Sequence, residues 1–177
     1  ETMFVIGYSG SGKSVAIKHI VGLLMPDTGT VFVDGKEVPT LPRRELYELR
    51  AKIGYVFQFA ALFDSLSIGD NVAMGLRKLD MQPGEIRERV SEALRLVDLP
   101  DTETRYPAEL SGGMRKRVGI ARAVALRPKY ILYDEPTTGL DPVTSAVIDE
   151  LMIRMRRQLG VTSVVITHDM RSAYTVG

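Results

Sequence analysis

Apolar residues along the chain follow two rhythms, short near-continuous runs and longer stretches spaced by the turn of a helix. The runs at residues 2–6, 53–57, 130–133 and 163–167 are bounded by Gly, Asp, Pro or charged residues, which predicts strands buried on both faces. Residues 30–33 read as one more strand, turned by Asp34 and Gly35. Helical spacing is predicted over 13–24, stopped by Pro26, Asp27 and Gly29, and over 83–97, closed by Pro100 and Asp101. Another helix starts at Ser111, Gly112 and Gly113 and runs to about Leu126, and the segment between residues 58 and 82 is polar and helical in character. A long helix opens at Asp141 and Pro142. In it Val147, Leu151, Met155 and Leu159 recur every four residues with Ile148 and Met152 beside them, so this stripe is expected to face a core, its methionines acting as filler.

Strands alternating with helices predict an α/β fold with a mostly parallel sheet covered on both faces. Such sheets place ligands beyond the carboxyl ends of their strands. Three polar groups fall there: the loop after Ile6, Asp134 with Glu135 after Tyr133, and His168 after Thr167. They are expected to meet at one edge. A length of 177 residues with 45% hydrophobic and 25% charged content suits one domain with a real core. The net charge of +1 gives no overall basic field for nucleic acid, and the absence of cysteine excludes disulfides, thiol catalysis and Cys-ligated zinc. No apolar run approaches the ~20 residues that cross a bilayer, so a link to a membrane is expected to pass through a partner.

Gly7, Tyr8, Ser9, Gly10, Ser11, Gly12, Lys13 and Ser14 form a glycine loop between a strand and a helix, the arrangement that grips a nucleotide phosphate. Its glycines let backbone N–H groups turn inward beside the positive end of the following helix. Lys13 can reach the β- and γ-phosphates, and Ser14 offers a hydroxyl to Mg²⁺. Asp134 is a carboxylate at the end of an apolar strand, suited to hold Mg²⁺ through water. Glu135, uncommitted to the metal, is the better proton acceptor for an attacking water. Ser111 caps a second helix whose glycines leave N–H groups free for an anion. One compact domain has little reason to aim two such helix ends at one triphosphate; two copies of the chain do.

Taken in order, residues 7–14, Gln58 after a strand, Leu110 to Gly113, Asp134 with Glu135, Gly139 to Asp141, and His168 resemble the ATPase subunits of ABC transporters. The resemblance covers nearly the whole chain. It implies a P-loop NTPase sheet with flanking helices and an inserted helical subdomain at approximately 68–126, and ATP with Mg²⁺ as ligands. Lys13 and the loop backbone, with Val15 beside them, would bind the phosphates; Ser14, Gln58 and Asp134 would hold the ion. Glu135 would be the general base, and His168 would contact the γ-phosphate and position the water. Ser111, Gly112 and Gly113 would touch ATP held by the opposite subunit of a two-fold dimer, with Asp141 at the seam. The partners would be membrane-embedded transporter subunits, and the location the cytoplasmic face of the cell membrane, peripherally.

Residues 57–66, Asp70 to Val72, and residues 110–117 look like the ATPases of Mce-associated lipid transporters, which implies a phospholipid or related cargo. The alternatives are an ABC ATPase serving a drug exporter, a nutrient importer or a soluble machine, and a nucleotide-sensing module without hydrolysis. Met114 stands where many members carry glutamine. Leu62 and Phe63 read as an exposed contact for a membrane-embedded subunit or as core, and the basic run Arg115, Lys116 and Arg117 reads as a solvated helix face. Six residues before Gly7 and nine after His168 leave no adenine-stacking residue to name, which fits a single cassette lacking N- and C-terminal parts of a larger subunit.

Overall fold

Four of the six strands run parallel in one sheet, and the order in which they lie decides where the polar strand ends meet. The structure is a computed structural model describing residues 1–177. Along the chain come β1 (Thr2–Ile6), α1 (Lys13–Ile20), the two-residue strands β2 (Phe32–Val33) and β3 (Lys36–Glu37), α2 (Arg43–Ala51) and β4 (Ile53–Val56). Then follow α3 (Ile68–Leu76), α4 (Pro83–Leu96), α5 (Gly112–Val124), β5 (Tyr130–Asp134), α6 (Pro142–Leu159), β6 (Thr162–Thr167) and α7 (Met170–Val176). The sheet order is β1-β6-β5-β4, while β2 and β3 pair antiparallel in a separate ribbon. Ile6 is level with Thr167, and Asp134 with Ile166, so the chain leaves all three strands at one edge.

Alternation along these strands divides the core between the two faces of the sheet. Ile131, Tyr133 and Val165 join a cluster of 26 buried residues with α3, α4, α5 and α6, whereas Leu132, Ile166 and Ile53 join a cluster of 7 with α1 and Leu49 of α2. Because both faces are covered, the strands are continuously apolar, and each fully buried Ile or Leu contributes about 1.5–3 kcal/mol of burial. The three helices between β4 and β5 pack on one another. Within them Asn71, with no exposed surface, ties down the preceding loop: its Oδ1 accepts from the Phe63 N–H at 2.8 Å, and its Nδ2 donates to the carbonyls of Phe63, Leu66 and Ser67 at 3.0–3.1 Å.

Several expectations change in detail. The helix predicted over 13–24 ends at Ile20, because Gly22 takes a left-handed φ of 62° and the Leu23 and Gly22 N–H groups close back onto the Lys18 and His19 carbonyls. The strand predicted over 30–33 pairs only at Phe32 and Val33, and that predicted over 53–57 ends at Val56. In α6 the buried stripe is Ile148, Leu151, Met152 and Met155, while Val147 and Leu159 are each 36% exposed. A four-residue step advances about 40° beyond a full helical turn, so a strict period of four walks off the buried face. Leu62 packs against the core as a partly buried residue, and Phe63 is half exposed.

Candidate functional site

The loop at residues 7–14 leaves β1 at the polar edge and enters α1 through Gly12. Gly10 and Gly12 have φ of 83° and 88°, a region where a Cβ is strained, and this backbone turns the chain sharply before the helix. No side chain caps the first turn of α1, so its N–H groups stay available to an anion. Lys13, only 9% exposed, folds back over the loop. Its Nζ donates to the Gly7 carbonyl at 2.7 Å and the Tyr8 carbonyl at 3.0 Å, and lies 3.6 Å from Oε1 of Glu135.

Asp134 is the last residue of β5 rather than a residue beyond it. Ser14 Oγ donates to its Oδ1 at 2.6 Å, and the Tyr55 hydroxyl donates to its Oδ2 at 3.0 Å. Burial and then the Asp134 charge push the Tyr55 phenol well above its ordinary pKa, so Tyr55 keeps its proton and remains a donor. The hydroxyl and carboxylate oxygens of Ser14 and Asp134 are a hard-oxygen pair, and no cluster of three His, Cys, Asp or Glu builds a closed cage. That donor set fits Mg²⁺, which binds through one or two protein oxygens, substrate phosphates and water.

Glu135 follows with a left-handed φ of 50° and 8% exposure. Its Oε2 accepts from the Thr138 hydroxyl at 3.0 Å and lies 2.8 Å from Nδ1 of His168. An ionised carboxylate only accepts, so in that state of Glu135 the proton of the contact resides on Nδ1. A neutral His168 then presents Nε2 as an acceptor toward water, and the doubly protonated ring presents a second donor, suited to a phosphate oxygen.

Lys13, Ser14, Glu135 and His168 share one groove of about 750 Å³, lined also by the rest of the Tyr8 to Val15 loop, Gln58 and Thr138; Asp134 and Tyr55 are not among its walls, and Asp134 connects to it through Ser14. Ser111, Gly112, Gly113 and Asp141 are not among its walls. Ser111 Oγ accepts from the Met114 N–H at 3.2 Å and caps α5, and Gly112 borders a different groove. Asp141 caps α6 by accepting from the Val143 and Thr144 N–H groups at 3.0 Å. Those bonds and the Thr144 hydroxyl hold its carboxyl below the usual carboxylate range, with the hydroxyl the largest cause.

Four residues of the surroundings carry no sequence signal that singles them out. Thr138 and Tyr55 hold the two carboxylates. Arg122 of α5 donates to the carbonyls of Ala60 and Ala61 at 2.6 Å, two consecutive residues with φ of 58° and 48° just after Gln58. Lys116 overturns the solvated reading of its basic run: it is 6% exposed, between exposed Arg115 and half-buried Arg117, because α5 turns it toward Glu135.

A protein-family model described as ABC transporter matches residues 1–138. The probable ribonucleotide transport ATP-binding protein mkl of Mycobacterium leprae is 44% identical over 177 residues, covering 99% of this chain and 51% of its own length. The methionine import ATP-binding protein MetN of Carboxydothermus hydrogenoformans is 47% identical over 171 residues, covering 97% of this chain and 51% of its own. The chain thus spans about half the length of these curated relatives. Among solved structures, the dimeric ATP-binding cassette MJ0796 in a post-hydrolysis state bound to ADP and Pi has a TM-score of 0.88 at 37% identity, covering 99% of this chain and 78% of that one.

Proposed function

The chain belongs to the ABC transporter family, and from that premise we propose that it is the ATP-hydrolysing cassette of a membrane transporter, working as a two-fold dimer with Mg·ATP between its copies. The observation that carries this reading is the single groove in which Lys13, Gln58, Glu135 and His168 converge while the Ser111 helix tip stays outside it. A second copy supplies that tip to the open side of the groove. The relative solved as a dimer with ADP and Pi supports the same arrangement.

In this mechanism the loop N–H groups and Lys13 take the β- and γ-phosphates, Lys13 exchanging its carbonyl contacts for phosphate oxygens. Ser14, Asp134 and Gln58 would hold Mg²⁺, which supplies charge neutralisation on the phosphate oxygens when bound. Tyr55 keeps Asp134 turned toward Ser14. Glu135 takes the proton of a water whose oxygen bonds to the γ-phosphorus as the bond to the β–γ bridging oxygen breaks, giving ADP and phosphate. Thr138 and His168 fix the Glu135 carboxylate for that transfer, and Asp141 shapes the subunit seam. Val15, half exposed at the groove mouth, contacts the nucleotide.

No helix is long and apolar enough to cross a membrane. Phe59 and Phe63, 82% and 52% exposed, are the contact we assign to membrane-embedded subunits, with the cassette held peripherally at the cytoplasmic face. For cargo, relatives named for methionine import and ribonucleotide transport favour a nutrient importer. The likeness of residues 57–66 and 110–117 to lipid-transporter ATPases supports phospholipid as a second reading. Hydrolysis by the reconstituted complex separates them: stimulation by methionine or a ribonucleotide with the cognate binding protein supports import, stimulation by phospholipid vesicles supports the second reading, and no phosphate release in any state overturns the ATPase assignment.

A further inference from the structure

Lys116 is a cation in the wrong place for a solvated helix. Its side chain is buried, no carboxylate oxygen lies within 4.0 Å of its Nζ, and its one hydrogen-bond acceptor is the main-chain carbonyl of Glu135 at 3.4 Å. Removing an ammonium from water without a counter-ion is unfavourable, and most proteins pair or expose such a group. Burial pushes the Lys116 amine below the usual lysine value, against the opposing pull of Glu135 and Asp134.

The group it touches needs holding. Glu135 sits at φ 50°, a conformation that side-chain-bearing residues adopt infrequently, and this φ sets the direction in which its carboxylate leaves the backbone. The next residue is Pro136, so the peptide unit after Glu135 has no N–H to anchor it, and its carbonyl is the only polar handle. That carbonyl accepts from the Thr138 N–H at 3.3 Å and from Lys116. Lys116 also lies on α5, the helix whose tip is Ser111, and the same helix grips the Gln58 loop through Arg122. One helix therefore touches the main chain at Glu135 and in the segment just after Gln58.

We infer that Lys116 is a positioning residue for hydrolysis: its ammonium holds the Glu135 carbonyl and so fixes the carboxylate that receives the proton, tying that carboxylate to the Ser111 helix. The inference rests on the reading of Glu135 as the base. It is not a residue that touches the nucleotide.

The test compares Lys116→Met and Lys116→Gln in the full-length subunit that contains this chain, by steady-state hydrolysis, binding of a non-hydrolysable ATP analogue and thermal melting. Met and Gln each reach one atom less far than lysine; Met has no donor, and Gln retains an N–H for the carbonyl. Lys116→Met is expected to lower kcat about tenfold, with KM and analogue affinity within about threefold of wild type, since misplacing a catalytic group acts on the transition state. Its Tm is expected to hold or rise as the uncompensated charge leaves the interior. Lys116→Gln is expected to recover most of kcat. Equal kcat in Lys116→Met and wild type overturns the inference, as does a parallel loss of kcat and Tm in both variants, which marks packing alone. Should Lys116→Met fail to fold, a Lys116→Gln protein with normal Tm and kcat reduced about tenfold also overturns it. A wild-type subunit without turnover defeats the ATPase reading instead.

Discussion

Nδ1 of His168 and Oε2 of Glu135 lie 2.8 Å apart although 33 positions separate them in the chain. The contact exists because β5 and β6 are adjacent and end level, and because Thr138 holds the same carboxylate oxygen. Glu135 is thereby fixed by two neighbours on one oxygen, while its other oxygen faces Lys13 at 3.6 Å.

From this follows the effect of Glu135→Gln in the full-length subunit. Turnover is expected to fall by about 10²-fold or more, the range of a lost general base, while Mg·ATP binding and the ATP-bound dimer persist. Phosphate release together with size-exclusion chromatography in ATP reads both. Undiminished turnover removes Glu135 from the chemistry.

Ser111→Arg probes the second helix tip. Its site lies outside the Lys13 groove, so nucleotide affinity of a single subunit is expected to stay within about threefold, whereas ATP-dependent dimerisation and turnover are lost, because a large side chain stands where a phosphate must approach. A variant that dimerises and hydrolyses normally breaks the two-copy arrangement.

Tyr133 offers a stability test beside the site. It is fully buried, and its hydroxyl has no hydrogen-bond partner. Tyr133→Phe removes an unmet polar group while keeping the ring, so unfolding free energy is expected to rise by about 1 kcal/mol, measured by urea denaturation. A loss of stability means that the hydroxyl is satisfied after all.

Asp149 gives a dependence on pH. Burial raises its carboxyl above the ordinary 3.8, the Ser172 hydroxyl opposes the shift and the Asp169 charge adds to it. The folded chain thus keeps a proton that the unfolded chain releases from pH 3.8 upward, and this stabilising contribution fades as pH rises through the folded titration. Asp149→Asn does not titrate. Its stability relative to wild type is expected to climb between pH 4 and 7, compared as urea midpoints at each pH; a constant difference contradicts the assignment.

Much of the site was readable because its signals are local. The loop at residues 7–14 depends on glycines and a lysine at fixed separations, and Asp134 with Glu135 on an apolar run ending in acid. Gly22 is an equally local helix stop, reached four residues before Pro26. Val147 and Leu159 misled because a repeat of four resembles a helical period over two turns and departs from it over four.

Sequence alone therefore determined the alternation of strands and helices, the family motifs and the residues able to meet at one edge, since each is written in spacing along the backbone. Tertiary structure decided the rest: that Tyr55 and Thr138 orient the two carboxylates, that Glu135 adopts a left-handed backbone, and that Lys116 lies buried between two exposed or half-exposed arginines. Burial and through-space contact depend on which helix covers which strand, and no run of neighbouring residues encodes that by itself.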